Sequence, residues 1–345
     1  MITIDGSHGE GGGQILRTAV CLSVITQTPV KIINIRANRP NPGIKLQHYT
    51  ALLLLKRLCQ ARTEGLEIGS TTFSFYPREI KSGRYTVDVG TAGSITLICQ
   101  SILPCVLRIS EPIEVIVRGG TDVRWSPSWD YLCSVFLSAL QRCGVNVDAT
   151  LIQRGYYPKG GGEIFLRFSP CEGFQNICFD TPASYEHVKG IVHIGNLPLH
   201  VSTRMRHQAV RSLLTKNLQS EISVDMRSTL SSGAGITLWS QKGGGVIGCC
   251  ELGEKGVSAE TVALNAVARL IKDIRCKATV DEHLLDQLLF YLVLAKGRSY
   301  CLVRSISSHA ETTMWLLGQF FPAKHLFSIE THDELFRVVV NGIGD

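Results

Sequence analysis

Several short segments of this sequence carry residue types that could do chemistry together. His309, in Ser307-Ser308-His309-Ala310-Glu311-Thr312-Thr313, stands where a strand-like run gives way to a helix-like one. At a helix N-terminus an imidazole is held neutral, the form that attacks an electrophile. A lone histidine there is equally compatible with a structural or merely exposed role. The segment Gly6-Ser7-His8-Gly9-Glu10-Gly11-Gly12-Gly13-Gln14 is a glycine loop between a strand and a helix. Backbone N–H groups and a helix dipole can receive an anion at such a place. Glu10 and Arg17 flank it as a metal or phosphate contact. A tight turn alone would also ask for glycine. The loop lacks the Gly-Lys-Ser/Thr ending of a P-loop, which excludes that mechanism.

The segment 35–48 sets Arg36, Arg39 and Lys45 in a loop that Gln47 ends by opening a helix. Arginine suits bidentate phosphate contacts. Pro40, Pro42 and Gly43 stiffen the loop and lower the entropy cost of binding. Gln100 lies on an otherwise apolar helix and needs a partner, either backbone or a ligand such as a purine edge. His283-Leu284-Leu285-Asp286-Gln287 begins another helix. An acid there stabilises the helix by itself, and Asp286 and Gln287 could equally hold a ribose or a base. Gly119-Gly120-Thr121-Asp122-Val123-Arg124-Trp125-Ser126-Pro127 reads as a rigid structural turn with one carboxylate.

Strand and helix signals alternate along the chain to position these segments. Strand-like runs occupy 1–4, 30–35, 86–89, 113–117, 163–168 and 300–306. Helix-like runs occupy 15–22, 47–59, 95–107, 129–143, 259–272, 284–294 and 313–320. Glycine clusters recur at 11–13, 90–93, 119–120 and 160–162, which suggests a repeated supersecondary unit of two helices against a small sheet. Near Phe179 the texture changes, with strands expected at 188–194, 236–240 and 246–251 and a helix at 204–219. The expected fold class is α+β: repeated units of two helices on a four-stranded sheet, with a smaller inserted α/β domain. Residues 1–178 and 277–345 would form the repeated-unit domain and 179–276 the insert.

Of the 345 residues, 44% are apolar and 19% charged, enough core for two or three domains and too little charge for wholesale disorder. The formal net charge of +6 suits a polyanionic partner and equally an ordinary, slightly basic enzyme. Twelve cysteines include no Cys-x-x-Cys pair, so no zinc spacing is present and buried free thiols in a reducing compartment are expected. The N-terminus shows no secretory-signal pattern. The most apolar stretch, 94–107, contains Gln100 and Pro104 and is too short to span a bilayer. The expectation is a soluble cytoplasmic protein with no membrane partner, the nucleus staying open for a eukaryotic source. The oligomeric state is left open.

Taken together and in order, these segments resemble the RNA 3′-terminal phosphate cyclase family nearly end to end. Gly9-Glu10-Gly11-Gly12-Gly13-Gln14-Ile15-Leu16-Arg17 is similar to the family's opening segment. Arg36-Ala37-Asn38-Arg39-Pro40-Asn41-Pro42-Gly43 is similar to its Arg-Ala-x-Arg-x-x-Pro-Gly loop. Gly93-Ser94-Ile95-Thr96-Leu97 with Gln100 and Pro104, and Gly119-Gly120-Thr121-Asp122, also fit. One departure is Thr312-Thr313, where the family commonly shows Thr-Asn.

The resemblance implies ATP-dependent conversion of an RNA 3′-terminal phosphate to a 2′,3′-cyclic phosphate. His309 would take AMP from ATP and pass it to the RNA 3′-phosphate, and the neighbouring 2′-hydroxyl would then expel AMP. A divalent ion, Mg or Mn, would offset triphosphate charge, with Glu10 helping to hold it. By position, Gln100, His283, Leu284, Leu285, Asp286 and Gln287 would contact ATP. Arg17, Arg36, Arg39 and Gln47 would line the path of the RNA 3′-phosphate end, and Lys45 joins them on electrostatic grounds alone. The family also contains non-catalytic ribosome-biogenesis factors that lack the nucleophilic histidine. His309 with Asp286-Gln287 favours the enzyme. A small-molecule transferase of similar repeated architecture is a further rival.

Overall fold

The computed structural model describes residues 1–322 and 325–344. Three of its sheets are built the same way. The first unit runs β1 (Ile2–Asp5), α1 (Gly13–Thr26), β2 (Val30–Ile33), α2 (Leu46–Leu58), β3 (Arg62–Glu64) and β4 (Phe73–Tyr76), in sheet order β1-β2-β4-β3. β1 and β2 are parallel, as a helical crossover requires, and the last pair is antiparallel. The second unit repeats this with β5 (Gly83–Asp88), α3 (Ile95–Ile102), β6 (Ile113–Gly119), α4 (129–142), β7 (Val147–Gln153) and β8 (Gly162–Phe168), in order β5-β6-β8-β7.

The third unit begins with β9 (Cys178–Phe179), and the chain then leaves to build a fourth sheet. That sheet holds β10 (His187–Gly195), β11 (Gln219–Arg227), β12 (Gly233–Lys242) and β13 (Gly245–Leu252), with α5 (Leu199–Leu214) and α6 (Ala259–Arg275). Its order, β11-β10-β12-β13, differs from the other three. The chain then resumes the third unit with α7 (Glu282–Val293), β14 (Arg298–Val303), α8 (Ser308–Phe320), β15 (Phe327–His332) and β16 (Leu335–Asn341). β14 pairs in parallel with β9 across more than a hundred residues of intervening chain. The fold is thus α+β, with units of two helices on a four-stranded sheet.

One apolar core runs through the three similar units, and α1 lies inside it with Ile15, Leu16, Ala19, Val20, Leu22 and Val24 buried. A second cluster, including Val192, Met205, Ala209, Ile236, Ala263 and Leu270, fills the space between the fourth sheet and α5 and α6. Among the described residues, no helix is long and apolar enough to cross a membrane.

Three expected helices differ in detail. The helix expected over 204–219 is Leu199–Leu214, because Pro198 starts it early and Asn217, with φ of 59°, ends it. Gln219 already pairs with His187 as strand. The run 95–107 is α-helical only to Ile102 and then tightens to a 3₁₀ helix, Leu103–Arg108, that Pro104 opens. The run 129–143 carries a π turn over Leu132–Leu137. The cysteines are free thiols, all of them buried or half-buried except Cys178, which is exposed.

Candidate active site

Loops that leave the parallel strands β1, β2 and β14 meet at the N-termini of α1, α2 and α8. Gly11 holds φ of +57° in the first loop and lies against the Asn38 side chain, which donates from Nδ2 to Ser7 O at 2.8 Å. At Gly13 a Cβ would collide with the His48 ring, so glycine is needed for α2 to approach α1. Gly12 offers α1 no side-chain cap, which leaves the first-turn N–H groups free for an anion.

His309 is the second residue of α8, whose N-cap Ser307 accepts from Ala310 N at 3.0 Å. Gln14, in the first turn of α1, fixes the imidazole. Its Nε2 donates to His309 O at 3.1 Å and to Thr313 Oγ1 at 2.7 Å. A carbonyl only accepts, so the amide nitrogen must face it and Oε1 must face the ring. Oε1 lies 2.6 Å from His309 Nδ1, which therefore carries the proton. Nε2 is left with its lone pair, on a half-exposed ring, 3.8 Å from Glu10 Oε2. Thr313, at the position where the sequence departs from the family pattern, supplies the hydroxyl that accepts from Gln14.

Glu10 accepts from the Ser308 hydroxyl and pairs with Arg39 at 3.1 Å. The Ser308 hydrogen bond, helped by the Arg39 charge, holds the Glu10 carboxyl below its ordinary range. Asp286 accepts from the Ser307 hydroxyl and so ties α7 to the cap of α8. Burial, reinforced by Asp281, Glu282 and Glu10, pushes the Asp286 carboxyl up to about 8. Gln100 Nε2 donates to Gln287 Oε1 at 2.6 Å, and Gln287 Nε2 donates to His283 O at 2.7 Å. The His283 ring accepts at Nε2 from Arg269 of α6, 3.0 Å away. Leu284 and Leu285 are wholly buried core side chains, so neither presents a side chain to a ligand.

The cations divide into two kinds. Arg17 has no hydrogen bond or ion pair among the described residues, and burial lowers its guanidinium to about 10. Arg17, Arg36 and Lys45 converge on His48, whose imidazole is pushed down to about 3 by burial and then by those three charges. Crowding like charges together without an acid is unfavourable even at half-burial, and an anion relieves it. Arg36 also braces the scaffold, since its Nη1 donates to Asn41 O at 2.7 Å and Gly43 O at 3.1 Å, closing its own loop. Gln47 accepts at Oε1 from Ser94 N at 2.8 Å, joining the first unit to the second. Gln14 and His48 went unassigned in the sequence, although both lie inside or beside the motifs read there.

A divalent cation fits at Glu10 in one way only. The site offers a single hard carboxylate oxygen group, which suits a magnesium-type ion held mostly by water and substrate phosphates. Elsewhere, Asp122, Asp130 and His193 bring ligand atoms within 4.8 Å of one another. Arg154 already occupies that cluster, donating to Asp122 at 3.0 Å, Asp130 at 2.9 Å and Asp225 at 2.7 Å. The guanidinium supplies the charge these carboxylates need, so we read the cluster as a buried ion-pair network and not a metal centre.

A family model described as RNA 3′-terminal phosphate cyclase matches residues 8–327. The chain belongs to the RNA 3′-terminal phosphate cyclase family. The cyclase of Methanosarcina barkeri is 45% identical over 99% of this chain and all of its own length. That of Pyrococcus furiosus is 43% identical over 93% of each chain. The bacterial cyclase of Nitrosospira multiformis is 40% identical over 98% of this chain and 96% of its own. A solved structure, the enolpyruvyl transferase NikO from Streptomyces tendae, is 10% identical with a TM-score of 0.38, covering 99% of this chain and 48% of that one. That likeness is too slight to argue from.

Proposed function

We propose that this chain converts an RNA 3′-terminal phosphate to a 2′,3′-cyclic phosphate with ATP, through a histidine-bound AMP. The observation that carries the reading is the Gln14–His309 hydrogen bond, which leaves His309 Nε2 as a bare lone pair at the mouth of a cationic loop cluster. Nε2 attacks the α-phosphorus of ATP, the bond to the β-phosphate oxygen breaks, and pyrophosphate leaves. An oxygen of the RNA 3′-phosphate then attacks the same phosphorus and releases the imidazole. Last, the adjacent 2′-hydroxyl attacks the RNA phosphorus, its proton is lost, and AMP departs as the ring closes. A divalent ion held through Glu10 would neutralise charge on the triphosphate.

The chain's own residues do the positioning. Gln14 orients the ring and fixes its tautomer, as the orienting member of a catalytic triad does. The α1 N-terminus, Arg17, Arg39 and Lys45 attract phosphate. Gln100, His283, Asp286 and Gln287 form the hydrogen-bonded edge beside α8 against which ATP would lie. Leu284 and Leu285 would contribute backbone alone. Residues 179–276 are proposed as an inserted domain within the unit completed by 277–345. A non-catalytic, ribosome-associated role would leave the oriented histidine with nothing to do.

The test is incubation with α-labelled ATP and a divalent metal, followed by denaturing gel and acid or alkali treatment. An acid-labile, alkali-stable protein adduct, absent from His309→Ala, is the expected result. Persistent labelling of that variant would remove His309 as the nucleophile.

A further inference from the structure

The loop 119–127 and the turn around Tyr157 take no part in the reaction as described, yet they carry the two most exposed aromatic side chains of the described residues. Trp125 is 93% exposed and Tyr157 77%. Large aromatics are normally covered. Trp125 also adopts φ of 60°, a backbone conformation that a bulky residue rarely takes. The surroundings are stiff. Thr121 N and Asp122 N both donate to Gly155 O, at 2.9 and 3.2 Å, which sets the two loops side by side. Beneath them Arg154 binds Asp122, Asp130 and Asp225. Thr96 Oγ1 donates to Pro127 O at 2.8 Å and Lys159 N to Ser231 Oγ at 3.1 Å. The aromatic rings thus stand free on a rigid base.

A chain of hydrogen bonds and backbone contacts links these loops to the first unit, whose Gln14 holds His309. Gln47, beside Lys45 and His48, binds Ser94 N. From there Gly120 N donates to Gly93 O and Ile95 N to Gly120 O, each at 2.9 Å, which leads into the Trp125 loop. Gly160, three residues beyond Tyr157, lies against the backbone of Thr91 and Ala92. These contacts run from the loop that bears Lys45 and His48 to two open π faces, and the exposed Lys159 follows Tyr157 by two residues. Solvent-open aromatics on stiff loops, with a lysine next to them in the chain, are an arrangement that holds single-stranded nucleic acid by stacking.

We propose that Trp125 and Tyr157 form a stacking platform for the unpaired bases of the RNA a few nucleotides upstream of its 3′-phosphate. The assignment rests on the cyclase reading and extends it to the body of the substrate. Because every base has a π face, the platform favours single strands over duplex ends without selecting a sequence.

The test compares a trinucleotide and a dodecamer, both single-stranded, 5′-fluorescent and ending in a 3′-phosphate, by anisotropy with the full chain. In wild type the dodecamer binds more tightly. Trp125→Ala combined with Tyr157→Ala lowers the dodecamer-to-trinucleotide affinity ratio at least about fivefold. Trp125→Phe, which keeps a π face, retains most of it, and thermal unfolding confirms that each variant is folded. An unchanged ratio in the double variant overturns the platform while leaving the cyclase reading intact. So does a change in self-association without RNA, with the ratio unchanged, which would make the aromatics a protein contact. Wild type that holds neither oligonucleotide and forms no AMP adduct overturns both readings.

Discussion

Gln14→Leu is the most direct probe of the proposed chemistry. The change keeps the side chain's bulk but removes three hydrogen bonds, to His309 Nδ1 at 2.6 Å, His309 O at 3.1 Å and Thr313 Oγ1 at 2.7 Å. Neutral hydrogen bonds contribute about 1 kcal/mol each when buried. These lie at a water-accessible rim where solvent replaces part of the loss, so the stability cost should be about 1 kcal/mol in all. The rate effect is larger. Without Oε1 the ring is free to rotate and to place its proton on the attacking nitrogen. Losing one orienting partner of a reactive imidazole typically costs about 10–100-fold, or roughly 1.4–2.8 kcal/mol of barrier. Single-turnover transfer from α-labelled ATP at saturating nucleotide would show this as a slower rate at unchanged half-saturation. Gln14→Glu supplies a second signature. Its carboxylate favours the imidazolium, so the acid limb of the pH–rate profile should move to higher pH. A Gln14→Leu rate within about twofold of wild type, together with an unmoved limb in Gln14→Glu, would refute the orienting role.

Three further outcomes are expected. Arg17→Met should leave thermal stability unchanged or raise it, since a half-buried cation with no partner among the described residues is removed, while weakening RNA-phosphate binding and flattening its salt dependence. Loss of stability in that variant would mean that the guanidinium is paired in solution. Asp286 is raised to about 8 in the folded chain, so its contribution is greatest below the unfolded carboxylate range and is lost as pH rises towards 8. Asp286→Asn, which can still accept from Ser307, should therefore gain stability over wild type at pH 8 and not at pH 4 in denaturant titrations. Arg154→Met leaves Asp122 and Asp130 buried without a counter-charge, and urea unfolding should register about 3–5 kcal/mol of lost stability. A loss below about 1 kcal/mol would mean that water enters the network.

Much of the site was legible because glycine, proline and arginine mark loops by chemistry that acts locally. The loop 6–14, the braced loop 35–48 and the junction at His309 all lie where the sequence puts them. The repeated unit was legible from its glycine junctions, although short strands such as β3 and β9 were not, since three and two residues carry no period. Gln14 was hidden for a different reason. A glutamine in the first turn of a helix has no local signature, and its partner is 295 residues away. His48 looked like an ordinary helix residue until Gly13 was seen to admit its ring. Gln47, placed on the phosphate path by the family resemblance, and Arg36, placed there by its charge and the resemblance, each also spend hydrogen-bonding atoms on the scaffold. Polarity announces that a side chain needs a partner; only the fold says whether that partner is protein or ligand.

The span between Gln14 and His309 also constrains how activity arises during synthesis. Closing a loop of 295 residues is entropically expensive and slow, whereas the first two units assemble from contacts much nearer in sequence. A growing chain can therefore bury most of the first two sheets long before residue 309 leaves the ribosome. His309 meets Gln14 only after the residues of the fourth sheet have been made and the third unit has resumed. A product truncated between the second unit and residue 309 would carry the glycine loop and the 35–48 loop but no His309.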